Sequence, residues 1–256
     1  MRTLALLVLL AATAYAEHPL QPLVTLGEHR LKRFNTEVQD YTCKVVKRET
    51  IRGILQPMEC MYAKIRPEPF AIYVRYLHPK RVYERELLFV ENQYLNKIIV
   101  KKGGPRFAFI TTSVEIDSDV VKVSSNYSIK DMGFARLLKQ MIEIAKEEMQ
   151  SEYVEVKYYE GVKIEGRSNT MAQIRRTQKR DSKYDFQIAR LYIDDEMQLP
   201  TRLESWGWPD AKGITSLLEE FTLLEVHFNQ GLTDQDFDYK SPQYGFNANY
   251  ETHLPD

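Results

Sequence analysis

The chain has 256 residues, with 35 Lys and Arg against 36 Asp and Glu and a formal net charge of −1. That balance argues against a protein held to nucleic acid through phosphate contacts, which needs a clear excess of cations. The 16 Tyr and 11 Phe suit strands and a large apolar core.

The chain opens with an address. Met1-Arg2 is a short positive region, residues 4–12 are an apolar run, and Ala14-x-Ala16 supplies the small-x-small pattern of a signal peptidase site. The run is too short for the ~20 residues that span a bilayer, and no later stretch is long and apolar enough to do so. No Cys lies near Ala16 to carry a lipid anchor. Residues 1–16 are therefore expected to be a cleaved secretory signal. Residues 17–256 then form a single exported β-rich domain with no transmembrane segment, in the periplasm or cell-envelope space.

Residues 20–38 read as a helix, with Leu20, Val24, Leu31, Phe34 and Val38 roughly on one stripe. The period then drops to two. Tyr41, Cys43 and Val45 alternate with Thr42, Lys44 and charged neighbours, and a hairpin tip falls near Arg52-Gly53. Across that tip, Met58, Cys60 and Tyr62 would share their face. Cys43 and Cys60 would then be close enough to bridge in an oxidising compartment. Two small buried hydrophobes are the alternative.

A third strand, residues 70–77, puts Phe70, Ile72, Val74 and Tyr76 on one side. Strands at 86–91, 97–102 and 106–111 follow, punctuated by Asn92 and Gly103-Gly104-Pro105. Residues 134–150 are the clearest helix, with Phe134, Leu137, Leu138, Met141, Ile142 and Ala145 at core-facing spacing. Strands resume at 153–160, 163–178, 186–194, 199–206 and 217–229, and a helical turn begins at Thr233 with Asp236 in a capping-box arrangement.

These elements add up to a mainly β (α+β) fold: about eleven strands in a curved antiparallel half-open β-barrel, with helices packed on the concave face. A sheet that long curls. A curled sheet must enclose side chains, a helix or a ligand. Tyr41, Val45, Tyr62, Phe70, Ile72 and Tyr76 are the ligand-cavity candidates by inward alternation.

Chemistry is sparse. None of His18, His29, His78, His227 and His253 sits in a nucleophile or zinc motif, and G-x-S-x-G, H-E-x-x-H, P-loop and G-x-G-x-x-G patterns are absent. No enzymatic activity, cofactor or metal is expected. Asp234-x-Asp236-x-Asp238 opens like a calcium loop, but Tyr239 and Gly245 stand where Gly and Glu belong. A solvated, helix-starting acidic run is the better account. Arg175, Arg176, Lys179 and Arg180 form the densest basic segment, read as a charged hairpin tip or as a membrane-contact patch for anionic headgroups.

Four segments, Tyr41-Thr-Cys-Lys-Val-Val-Lys-Arg-Glu49, Met61-Tyr-Ala-Lys-Ile-Arg66, Pro69-Phe-Ala-Ile-Tyr-Val-Arg-Tyr-Leu77 and Arg85-Glu-Leu-Leu-Phe-Val-Glu91, resemble the bacterial family called domain of unknown function 1571. So do Leu199-Pro-Thr-Arg…Trp206 and Asn229-Gln-Gly-Leu-Thr-Asp-Gln-Asp-Phe237. More distantly, the order of elements is similar to the lipoprotein-carrier superfamily of the LolA and LppX types. That resemblance implies a half-open barrel holding acyl chains in an apolar cavity, but no ligand-contacting residue, since those carriers use dispersed apolar positions. The expected function is a non-enzymatic carrier or binder of lipid or lipoprotein acyl chains. The alternative is an envelope interaction or scaffold domain with a filled core and protein partners. An open cavity of ~300–1,000 Å³ would separate the two.

Overall fold

The computed structural model describes residues 17–251, so the expected signal segment lies outside the described residues. In chain order the elements are α1 (Gln21–Glu37), β1 (Tyr41–Ile51), β2 (Ile54–Leu55), β3 (Glu59–Arg66), β4 (Ala71–His78), β5 (Glu86–Val90), β6 (Lys97–Lys101), α2 (Gly104–Phe107), β7 (Thr111–Glu115), α3 (Asp119–Lys122), α4 (Phe134–Glu148), β8 (Val154–Ile164), β9 (Arg167–Arg176), β10 (Ile188–Asp194), β11 (Pro200–Trp206) and β12 (Leu217–Phe228). Eleven strands form one path, β7-β6-β5-β4-β3-β1-β12-β11-β10-β9-β8, and the two-residue β2 pairs only with β1. Every pairing on the path is antiparallel. The end strands β7 and β8 do not pair with each other, so the barrel is half-open.

Alternation sets the inner face. Cys43 pairs with Ala63, Ala63 with Val74 and Val74 with Leu87, carrying one apolar row across four strands. Curvature follows from α4. Leu137 lines a small void with Ile174 and Leu191 on one side and borders a hollow walled by Ile98 and Val114 on the other. Those strands stand seven to nine spacings apart along the path, or ~34–43 Å if flat, so only a curled sheet brings both to one side chain.

The helices seat by close approach. Gly133 has φ +107, and a Cβ there would lie 2.1 Å from the Tyr41 hydroxyl oxygen. That oxygen accepts a hydrogen bond from the Phe134 N–H at 3.2 Å and so anchors the start of α4 on β1. At Gly27 a Cβ would come within 2.5 Å of Met141, which is how near α1 passes to α4.

Two expectations fail locally. The β1–β3 connection is not a simple hairpin. β2 adds a short rung, residues 56–58 leave the ladder, and β3 returns with Cys60 opposite Val46 rather than on the Cys43 row. An odd shift exchanges faces. Met61, Ala63 and Ile65 therefore point inward, while Cys60 and Tyr62 turn out. Cys43 is buried, Cys60 lies on the opposite face, and both are free thiols, so the cross-strand bridge is not formed. The strand expected over 106–111 is instead α2 followed by β7, because Gly104 (φ +82) and Pro105 start a helical turn.

The outer face is half covered. Ala71, Tyr73, Leu88, Val90 and Ile99 form a second core with Phe237, Tyr239 and Phe246, which lie beyond β12. β4 and β5 are thus buried on both faces. The acidic run takes part in this docking: Asp236 meets Lys64 and Asp234 meets Arg66, each at 2.7 Å. Asp236 also accepts from the Thr233 N–H at 2.9 Å, as the capping box requires. The run is less solvated than expected.

Candidate ligand-binding cavity

The concave face is filled unevenly. Against β9–β11, Leu23, Met141 and Ile144 leave only about 20 Å³ of space. On the other half, a cavity of about 420 Å³ lies between β1, β4–β7 and β12 and the covering segment of residues 120–140. Its floor is Val45, Tyr76, Leu87, Ile98, Val100 and Val114; its cover brings Val121, Ile129, Met132 and Leu137. Phe107 and Val120, each more than half exposed, stand at its rim.

Polar groups tether the cover to the sheet. Glu49, nearly devoid of exposed surface, accepts from Lys47 Nζ at 2.7 Å, from the Ser125 hydroxyl at 3.0 Å and from the Asn126 N–H at 3.0 Å. Burial pulls the Lys47 ammonium down, but Tyr76, Glu49 and Glu59 around it raise it further, so it stays charged. The Tyr127 hydroxyl donates to Glu219. Burial pushes the Glu219 carboxyl up and the bond from Tyr127 pulls part of that back. Burial and the neighbouring Glu219 also push the Tyr127 hydroxyl up. Gln140 is 4 % exposed and lines the cavity. It lies near enough to the Tyr127 hydroxyl to favour its ionised form, yet its Nε2 makes no hydrogen bond. A buried donor without an acceptor is costly, of order 1–3 kcal/mol, unless something enters to meet it.

The expected site residues scatter. Val45 and Tyr76 line the cavity. Tyr41 and Phe70 border a different hollow of about 840 Å³, whose walls carry Arg66, Glu68, Lys130 and Asp131 and therefore both signs of charge. Ile72 points inward but is fully packed, and Tyr62 lies on the outer face. The basic segment does not form a free landing patch. Arg176 is 1 % exposed and meets Glu148 at 2.5 Å; Arg180 meets the same carboxylate at 2.6 Å. Arg175 and Lys179 are more exposed, opposite Glu155 and Asp185. The cover, with Lys47, Tyr127 and Gln140, was missed in the sequence. Its one signal was Val120-Val121, Ile129 and Met132 within a stretch that showed no regular period.

Among the described residues, no three His, Cys, Asp or Glu side chains gather as a metal site, and no helix is long and apolar enough to cross a membrane. The molecule is thus an open antiparallel half-barrel with helices on its concave face and one apolar, polar-tethered cavity beneath a flap of irregular chain. The chain belongs to the family described as "Protein of unknown function (DUF1571)", whose model matches residues 38–246. No curated protein matches it.

Among solved structures, it is similar to a DUF1329 family protein from Desulfovibrio piger at 9% identity, covering 88% of this chain and 99% of that one with a TM-score of 0.41. It is similar to the lipoprotein LppX of Mycobacterium tuberculosis at 12% identity, covering 83% and 98%, TM-score 0.42. A LolA superfamily protein from Nitrosomonas europaea aligns at 7% identity, covering 87% and 98%, TM-score 0.37. Such values are too low to transfer a ligand or an activity.

Proposed function

We propose that the chain is an exported, non-enzymatic binder of lipid, holding one acyl chain in the cavity beneath the flap. The observation that carries this reading is the cavity itself. Its volume of about 420 Å³ falls in the ~300–1,000 Å³ range of small-molecule sites, and its floor is aliphatic apart from Tyr76. An envelope scaffold with a filled core is the competing reading, and the tightly packed half against β9–β11 supports it. A scaffold, however, gives no account of why only one half is filled.

Magnitudes constrain the ligand. Burying about ten methylenes contributes ~8 kcal/mol. Association costs at least ~4 kcal/mol. The remainder corresponds to a dissociation constant near ~1 mM, so useful affinity needs polar contacts as well.

Titrating the purified chain with cis-parinaric acid tests the reading. Saturable fluorescence enhancement, displaced by palmitate, is expected. Val100→Phe/Val114→Phe, which fills the floor without adding charge, should weaken binding by at least about tenfold while the protein stays folded. Folded wild-type protein with no saturable binding overturns the proposal.

A further inference from the structure

The charged side chains around the cavity are not evenly spread. Lys47 lies late in β1, Arg85 immediately before β5 and Lys102 immediately after β6. The antiparallel register, Met61 with Tyr76, Arg75 with Glu86 and Glu86 with Lys101, brings those three positions to one end of the sheet. Arg81 joins them: a Cβ at Gly104 would meet its carbonyl oxygen at 2.5 Å, so the loop before β5 packs directly on the loop after β6. All four cations line the cavity. Toward the opposite end lie Ile98, Val114, Ile129 and Met132, where the two remaining charged lining residues, Asp131 and Arg136, face each other at 3.7 Å.

The neighbouring carboxylates are already engaged. Glu49 holds Lys47 at 2.7 Å, and Glu59 stands 3.8 Å from both Lys47 and Arg81. Glu84 faces Arg75 and Glu86 faces Lys101. Among the described residues, Arg85 and Lys102 pair with no carboxylate. The Arg85 guanidinium instead lies 5.4 Å from the centre of the Tyr76 ring, which also lines the cavity, and Lys102 lies over Phe107 at the rim. A cation backed by an aromatic face and lacking a counterion is prepared for an anion.

We infer that the ligand is a single-chain amphiphile with an anionic head, the head held by Arg85 and Lys102 and the tail running toward Ile98 and Met132. This rests on the cavity reading above and adds the head that tail burial alone does not supply. Carboxylate and phosphate share the chemistry that the two cations read.

Calorimetric titration with four twelve-carbon probes, laurate, dodecyl phosphate, dodecanol and dodecyltrimethylammonium, separates the possibilities. At pH 7.4 and low salt, at least one of the two anions should bind about tenfold or more tighter than dodecanol, and the cationic probe weakest. Which anion binds tighter names the head. Arg85→Gln/Lys102→Gln should bring the anions down to the dodecanol affinity. If that variant does not fold, Lys102→Gln alone, at an exposed position, should shrink the preference. Equal affinities across the four probes, or a preference that survives both variants, overturns the inference while leaving the cavity reading intact. Inorganic phosphate binding as tightly as dodecyl phosphate overturns it too, since the site would then read a free anion. Folded protein that binds none of the probes removes the cavity reading itself.

Discussion

Glu148 lies on the inner side of α4 with no exposed surface, and three cationic contacts depend on it. Arg176 reaches it through Nε at 3.1 Å and Nη2 at 2.5 Å, and Arg180 through Nη2 at 2.6 Å. Arg176 is held further by the Tyr184 carbonyl at 2.6 Å and lies 4.1 Å from the Phe186 ring centre. Removing one partner of such a pair leaves a buried charge uncompensated, which costs ~3–5 kcal/mol. Glu148→Ala should therefore lower the urea midpoint by an amount equivalent to about 3 kcal/mol or more. Lys179→Ala, in the same basic segment but largely exposed, should change stability by less than ~0.5 kcal/mol. Equal effects would mean that the segment acts as a diffuse patch. The sequence displayed the basic segment but not this distinction, because the deciding carboxylate lies 28 residues earlier on another element.

The elements themselves were largely legible. Two helices and nearly all strands follow from apolar period, and the α4 stripe places Phe134, Leu138, Met141 and Ala145 in the core. What was illegible is what local period does not encode. The register of β3 against β1 depends on two rungs of β2 and three residues outside the ladder, and that odd offset alone moves Tyr62 and Cys60 to the outer face. The segment beyond β12 is a second case. It looked like a solvated acidic turn, yet Phe237 is 2 % exposed against β4 and β5, and Tyr244 stacks on Tyr73 with ring centres 4.0 Å apart. A strand buried on both faces reads as a continuous apolar run, and Ala71-Ile72-Tyr73-Val74 is one. Phe237→Ala should cost ~3–5 kcal/mol in equilibrium unfolding, as deletion of a packed aromatic does. A change below about 1 kcal/mol would show that this strap adds little to the sheet.

Across the whole molecule, one apolar face is covered in two ways. Helices seal β9–β11 through side-chain packing, whereas the flap over β4–β7 is tied down by Glu49 and by Tyr127 on Glu219. The apolar residues of the flap, Val121, Ile129 and Met132, face a cavity rather than a filled core, so its stability should sit at the low end of the molecule's range. Tyr127→Phe isolates one tie, since the ring keeps its edge contact with Phe221 and loses only the donor to Glu219. The lost bond leaves a buried carboxylate less satisfied, a cost of ~1–3 kcal/mol. Its pH dependence has a definite sign. Burial raises the Glu219 carboxyl above its ordinary value of 4.5, so its contribution to stability is fully present below about that pH and is lost as pH rises through the folded value. The Tyr127 bond favours the ionised form and limits that loss. Without it the folded value climbs further, and the variant should fall behind the wild type by more at pH 8 than at pH 4. Urea unfolding at the two pH values measures the difference, and hydrogen exchange should show the amides of residues 119–132 exchanging faster while those of β9–β11 are unchanged. A deficit of equal size at both pH values, with the flap amides unaltered, would show that the Tyr127–Glu219 bond does not hold the flap.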